Sequence, residues 1–191
     1  MKCSKSNKDS EILCVENLKA GKVLILPTDT VYGFSAVVSE KFNTAEKIRM
    51  IKGRSETKPF IQLIAEPSDI FKFTDEKIPP ELLKYWPGPL TIILKDKRLA
   101  GASVDTTAFR CPGDEWLRRI IKETGSVIYS TSVNKSGCPV LETESDILKE
   151  FENSVDLIVI DGDKKNALPS TIVKVENGKY SVLRQGEIKI K

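Results

Sequence analysis

The chain has 191 residues, 40% of them hydrophobic and 30% charged, which excludes wholesale disorder or a fibrous protein and suits one soluble globular domain spanning 1–191. Thirty Lys and Arg against 27 Asp and Glu leave a net charge of +3, too mild for a dedicated nucleic-acid module that works by phosphate neutralisation. With no histidine in the chain, Ser-His-Asp and Cys-His hydrolases, HExxH metalloproteases and His-ligated zinc are all excluded.

The elements read in chain order as follows. Residues 1–7 are polar and lack a signal-peptide core, and no apolar run reaches bilayer length, so a cytoplasmic protein without a membrane partner is expected. Ser10 caps a first helix that turns Ile12, Leu13, Val15 and Leu18 inward and stops at Gly21. A buried strand over 23–26 ends at Pro27, and a second apolar stretch runs over 31–38. Asn43 caps a helix over 44–52 that Gly53 closes, and 60–64 is extended. A helix around 80–85, a Trp86-Pro87-Gly88-Pro89 turn and a strand over 90–94 come next. Helices over 115–123 and 145–151 alternate with strands over 127–130 and 157–160. Strands over 171–175 and 180–183 flank Asn177-Gly178, a hairpin signal. Helical crossovers imply parallel pairs and the hairpin an antiparallel one, so the fold class is α/β with a mixed sheet.

Polar residues gather at the strand ends. Thr28-Asp29-Thr30-Val31-Tyr32-Gly33 places two hydroxyls, a carboxylate and a phenol in one turn, where open α/β sheets bind ligands. On composition alone that turn equally reads as an Asx or ST turn satisfying its own amides. Five cations fall within 47–58, a pattern common on solvated helix faces. Lys52-Gly53-Arg54 differs because it meets a strand. On an extended segment, side chains two residues apart point the same way, so this pair is expected to reach one polyphosphate. GxxxxGK[ST] spacing is absent, so side chains and isolated amides must hold any nucleotide. The loop Ser130-Thr131-Ser132-Val133-Asn134-Lys135-Ser136-Gly137, the strand start at Ser170-Thr171, Arg110 before Cys111-Pro112, and Arg184 before Gln185-Gly186 complete the inventory. The four cysteines, Cys3, Cys14, Cys111 and Cys138, form no CxxC pair and read as reduced thiols.

These motifs resemble, in order and over most of 21–186, the YrdC-like family of threonylcarbamoyl-AMP synthases. The resemblance is carried by Leu26-Pro27-Thr28-Asp29-Thr30-Val31-Tyr32-Gly33-Phe34, Lys52-Gly53-Arg54 with Lys58-Pro59, Trp86-Pro87-Gly88-Pro89-Leu90-Thr91, and Arg110-Cys111-Pro112. Ser130 to Asn134 with Ser136-Gly137, Pro169-Ser170-Thr171-Ile172-Val173, and a closing Arg184-Gln185-Gly186 continue it. It implies a twisted mixed sheet flanked by helices around a positively charged concave pocket. The implied reaction joins L-threonine, bicarbonate and ATP into threonylcarbamoyl-AMP and releases pyrophosphate. The product supplies a modification of the adenosine beside the anticodon of certain tRNAs, through downstream tRNA threonylcarbamoyl-transferase proteins.

Carried over position by position, the resemblance implies that Thr28, Thr30, Arg110, Ser130 and Ser170 bind threonine. It sets Lys52, Arg54, Thr106, Ser132, Asn134 and Arg184 against ATP, with Lys52 and Arg54 catalytic. Magnesium is expected to arrive mainly on the triphosphate, without a protein metal site. Phe34 and Val133 replace the commoner leucine and alanine, and no histidine stands near Leu63, where some relatives use one on the amino acid. The chain resembles the short form, without an extra C-terminal domain. An RNA-binding accessory protein with weak RNA affinity is the alternative. A third reading, a carbamoyl-phosphate-handling module of hydrogenase-maturation type, lacks its neighbouring acylphosphatase and zinc-finger segments here.

Overall fold

Short strand β1 (Lys2–Ser4) leads into helix α1 (Ser10–Lys19) in the computed structural model, which describes residues 1–53 and 59–190. Asp9, not Ser10, occupies the cap position of α1. Ser10 is the first helical residue, and its hydroxyl donates to Lys5 O at 2.9 Å while accepting from Trp116 Nε1 at 3.2 Å. Cys14 and Leu18 face the core, whereas Ile12, expected inward, is 58% exposed. Gly21 turns the chain at φ 70, and a side chain there would collide with the ring of Phe42.

Strands β2 (Leu24–Leu26) and β3 (Gly33–Val37) bracket the Thr28–Thr30 turn. Helix α2 (Thr44–Lys52) lies between two left-handed residues, Asn43 and Gly53. The Asn43 side chain makes no capping bond, and Thr44 Oγ1 donates back to Val37 O at 2.6 Å instead. Next come β4 (Ile61–Leu63), α3 (Pro80–Leu83), β5 (Leu90–Lys95), β6 (Thr106–Arg110) and α4 (Glu115–Thr124). Asp114 caps α4 by accepting from Leu117 N. The chain continues through β7 (Ile128–Ser132), α5 (Glu144–Phe151), β8 (Leu157–Ile160), β9 (Thr171–Glu176) and β10 (Lys179–Arg184). Positive φ at Asn177 and Gly178 makes the expected tight hairpin between the last two strands.

The strands of the described residues form one mixed sheet in the order β1-β8-β2-β3-β7-β4-β6-β5-β9-β10. The pairs β1/β8, β2/β8, β4/β6 and β5/β9 are parallel, as helical crossovers require. Side-chain alternation gives the sheet two buried faces. Leu24, Leu26, Leu157 and Val159 turn towards α1 and α4 in one apolar cluster. Ile25, Phe34 and Ile158 pack on the opposite face with Ile48 of α2 and Ile147 and Phe151 of α5. A third cluster joins β5, β6 and β9 to α3 and to Ile190. Two strands were not foreseen. Strand β1 is a three-residue, mostly exposed edge, and β6 opens on two threonines yet lies between β4 and β5. No helix among the described residues is long and apolar enough to cross a membrane.

Phe34 is wholly buried and meets Phe151 edge to face, with centroids 4.9 Å apart. Phe34→Ala is therefore expected to lower unfolding stability by about 3–5 kcal/mol in urea titrations. Phe34→Leu, which refills most of the space, should cost less than about 1.5 kcal/mol.

Candidate functional site

Where β3, β4, β6, β7 and β9 end, the sheet opens into a cavity of about 480 Å³. Thr28, Thr30, Arg110, Ser130, Ser132, Ser170 and Arg184 line it, together with apolar surface from Pro59, Phe60, Ile61, Val140 and Ile172. Register explains the grouping. Arg110 pairs with Leu63, Ile61 with Ser130, and Gly33 with Ser132, so alternate residues of four strands share one face. Gly33 leaves room there: a Cβ would lie 2.8 Å from Ser130 Oγ.

The hydroxyls of the first turn form a directed chain. Thr28 Oγ1 donates its one proton to Val31 O at 2.8 Å and accepts from Thr30 N at 3.0 Å. In the 3.0 Å contact between the two hydroxyls, Thr30 must therefore be the donor. Thr30 Oγ1 in turn accepts from Arg110 Nη1 at 2.9 Å. With its proton engaged, Thr30 can present only a lone pair to the cavity, whereas Thr28 is saturated within the turn. The structure thus separates two residues that the sequence paired: both line the cavity, but the Thr28 hydroxyl is used up within the turn and only Thr30 keeps a lone pair open.

Arg110 is 5% exposed and held from several sides. Its Nε donates to Gly88 O at 3.2 Å, and its Nη2 donates to Asp29 Oδ1 at 2.6 Å. Arg184 reaches in from an exposed position on β10 and donates to Ser170 O through Nη2 at 2.8 Å. Loss of hydration, and then the nearby Arg110 charge, hold the Arg184 guanidinium below its ordinary value. Ser170 Oγ lies 2.8 Å from Thr91 Oγ1. Tyr32 also lines the cavity, but its hydroxyl accepts from Asp161 N at 2.7 Å and donates to Gly162 O at 2.8 Å. Burial pushes this phenol up to about 12, so it ties two loops together as a neutral group.

Lys52, Asn134 and Thr106, also expected on the nucleotide, do not line the cavity. Lys52 is 3% exposed and does not line the cavity. It is the last residue of α2, and Gly53 follows in a left-handed conformation, so the extended geometry expected for Lys52-Gly53-Arg54 does not apply to it. Its ammonium donates to Ser132 O at 2.5 Å and to Asn134 O and Asn134 Oδ1 at 3.0 Å each. Asn134 completes the knot by accepting from Ser132 Oγ and donating to Lys135 O and Cys138 O. Thr106 starts β6 opposite Lys95, about 13 Å along the strand from Arg110, and does not line the cavity. Leu63 packs into the α1/α4 core. Arg54 and Lys58 lie outside the described residues.

Comparison with known proteins fits this geometry. The Sua5/YciO/YrdC family model, described as telomere recombination, matches residues 16–186. A relative from Methanocaldococcus jannaschii, named "Putative threonylcarbamoyl-AMP synthase", is 36% identical over 176 residues, covering 89% of this chain and 82% of its own. The threonylcarbamoyl-AMP synthase of Pyrococcus abyssi is 29% identical over 177 residues, covering 88% of this chain but 52% of its own length. The chain thus spans about half of that longer relative. The crystal structure of P. abyssi Sua5 complexed with L-threonine superposes with a TM-score of 0.84 at 26% identity, covering 97% of this chain and 57% of that one. The chain therefore belongs to the Sua5/YciO/YrdC family, whose matched relatives in archaea, bacteria and mammals bear the name threonylcarbamoyl-AMP synthase.

Proposed function

We propose that the chain makes threonylcarbamoyl-AMP and pyrophosphate from L-threonine, bicarbonate and ATP. The observation that carries the reading is a donor beside an acceptor. Arg110 Nη1 and Thr30 Oγ1 are 2.9 Å apart, and only the lone pair of Thr30 is left to offer. An amino acid presents a carboxylate and an amine on neighbouring carbons, so the guanidinium suits the first and the threonine oxygen the second. A Sua5 relative with the same fold is complexed with L-threonine, which supports this placement.

The chemistry runs without histidine because the substrates supply the nucleophiles. The amine nitrogen attacks the bicarbonate carbon, water leaves, and a carbamate forms. A carbamate oxygen then attacks the α-phosphorus of ATP, and the bond to pyrophosphate breaks. Arg184, at the rim, places a second permanent cation where negative charge builds on phosphoryl oxygens. Among the described residues no three His, Cys, Asp or Glu side chains gather into a metal cage. The Asp29 carboxylate is already engaged by Arg110 and Gly113. In this reading magnesium enters as part of the substrate, on ATP. The product is passed to tRNA threonylcarbamoyl-transferase proteins in the cytoplasm. The RNA-binding alternative draws on cations alone and has no use for the directed hydroxyl chain.

The test is pyrophosphate release from ATP, which should require both threonine and bicarbonate. In the same assay Arg110→Lys, which keeps the charge but loses the planar fork, should raise the threonine KM by about tenfold or more. The ATP KM should stay near wild type, and an equal rise in both would refute the assignment. Lys52→Met removes an ammonium from three partly buried oxygens and should lower urea stability by about 1–3 kcal/mol. A raised ATP KM at unchanged stability would instead mean that Lys52 leaves its loop to meet phosphate.

A further inference from the structure

The threonine-binding residues inferred above do not include Asp29, yet it controls the geometry of one of them. Its carboxylate is split between two donors: Oδ1 accepts from Arg110 Nη2 at 2.6 Å, and Oδ2 accepts from the Gly113 amide at 2.9 Å. The ion pair is shielded, with the Arg110 side chain 6% exposed and that of Asp29 18% exposed. A guanidinium has five N–H groups. Gly88 O, Thr30 Oγ1 and Asp29 Oδ1 take one each from Nε, Nη1 and Nη2, which leaves two among the described contacts. The segments that close on Arg110 have little freedom. A Cβ on Gly113 would lie 3.0 Å from Asp29 Oδ2, and one on Gly88 would lie 2.5 Å from Tyr85 O.

We propose that Asp29 is a positioning residue for amino-acid recognition. Its carboxylate locks the plane of the Arg110 guanidinium, so that the two remaining N–H groups are held for a substrate carboxylate. It also keeps Nη1 on one lone pair of Thr30 Oγ1, so that the other lone pair is held in place for the amine. This inference rests on the reading of Arg110 as the carboxylate-binding residue. Asparagine cannot replace Asp29, because its single carbonyl oxygen satisfies either Arg110 or Gly113, and its NH₂ then faces a donor. Glutamate keeps the charge but reaches one methylene too far.

The test compares calorimetric titrations of L-threonine and L-threoninol, which lacks the carboxylate, into wild-type protein, Asp29→Asn and Asp29→Glu. Wild type should prefer L-threonine. Asp29→Asn should cut that preference by about tenfold to a hundredfold, the worth of a charge-assisted hydrogen bond, and leave threoninol affinity nearly unchanged. Asp29→Glu should retain more of the preference than Asp29→Asn; if only the glutamate variant folds, a preference below wild type in it alone supports the proposal. Folded variants that keep the wild-type preference, or that weaken both ligands equally as a structural defect would, overturn it. A wild type that fails to prefer L-threonine overturns the Arg110 reading itself, and the wild-type arm alone reveals that outcome.

Discussion

A buried guanidinium is the constraint around which the site is organised. A cation taken out of water is tolerated only when a counter-charge and hydrogen-bond acceptors surround it. Arg110 gets these from the Thr28–Thr30 turn and from the turn at Gly88. The segment after β6 is drawn in through Gly113, whose amide holds the second oxygen of Asp29. Removing one partner would leave the others mismatched, so the three segments are fixed as a unit before any ligand arrives. That is preorganisation: polar groups are aimed before a ligand binds.

Lys52 solves the same physical problem differently. It too is buried, and its ammonium is held by oxygens of the 132–134 loop. One cation faces the cavity and the other fastens its wall. Sequence spacing does not separate these uses, because both residues adjoin polar turns and carry the same charge. Only the end of α2 at Lys52, with Gly53 reversing the backbone, decides where the ammonium points.

Much of the architecture was legible because local chemistry and global fold agree. Asn177-Gly178 demanded a tight hairpin, and the runs 23–26 and 157–160 had too little polar character to be anything but strands covered on both faces. Strand β6 escaped notice because Thr106-Thr107-Ala108-Phe109-Arg110 is buried by its central place in the sheet rather than by its own hydrophobicity. The motif residues that line the cavity, Thr28, Thr30, Arg110, Ser130, Ser132, Ser170 and Arg184, could be named in advance, yet the direction of the Thr30 proton and the partner of Asp29 could not. Asp29 and Arg110 are 81 positions apart, and no local pattern records that they meet.

The order of the sheet also bears on how the site comes into being. Its neighbours are seldom neighbours in sequence: β1 lies beside β8, β3 beside β7, and β5 beside β9. The cavity draws on residues from Thr28 to Arg184. Closing such long loops costs chain entropy before the new contacts return anything, which makes folding of this topology slow compared with helical domains of similar size. The cavity is therefore complete only once the β9–β10 segment, which brings Ile172 and Arg184, has joined the strands that carry its other walls.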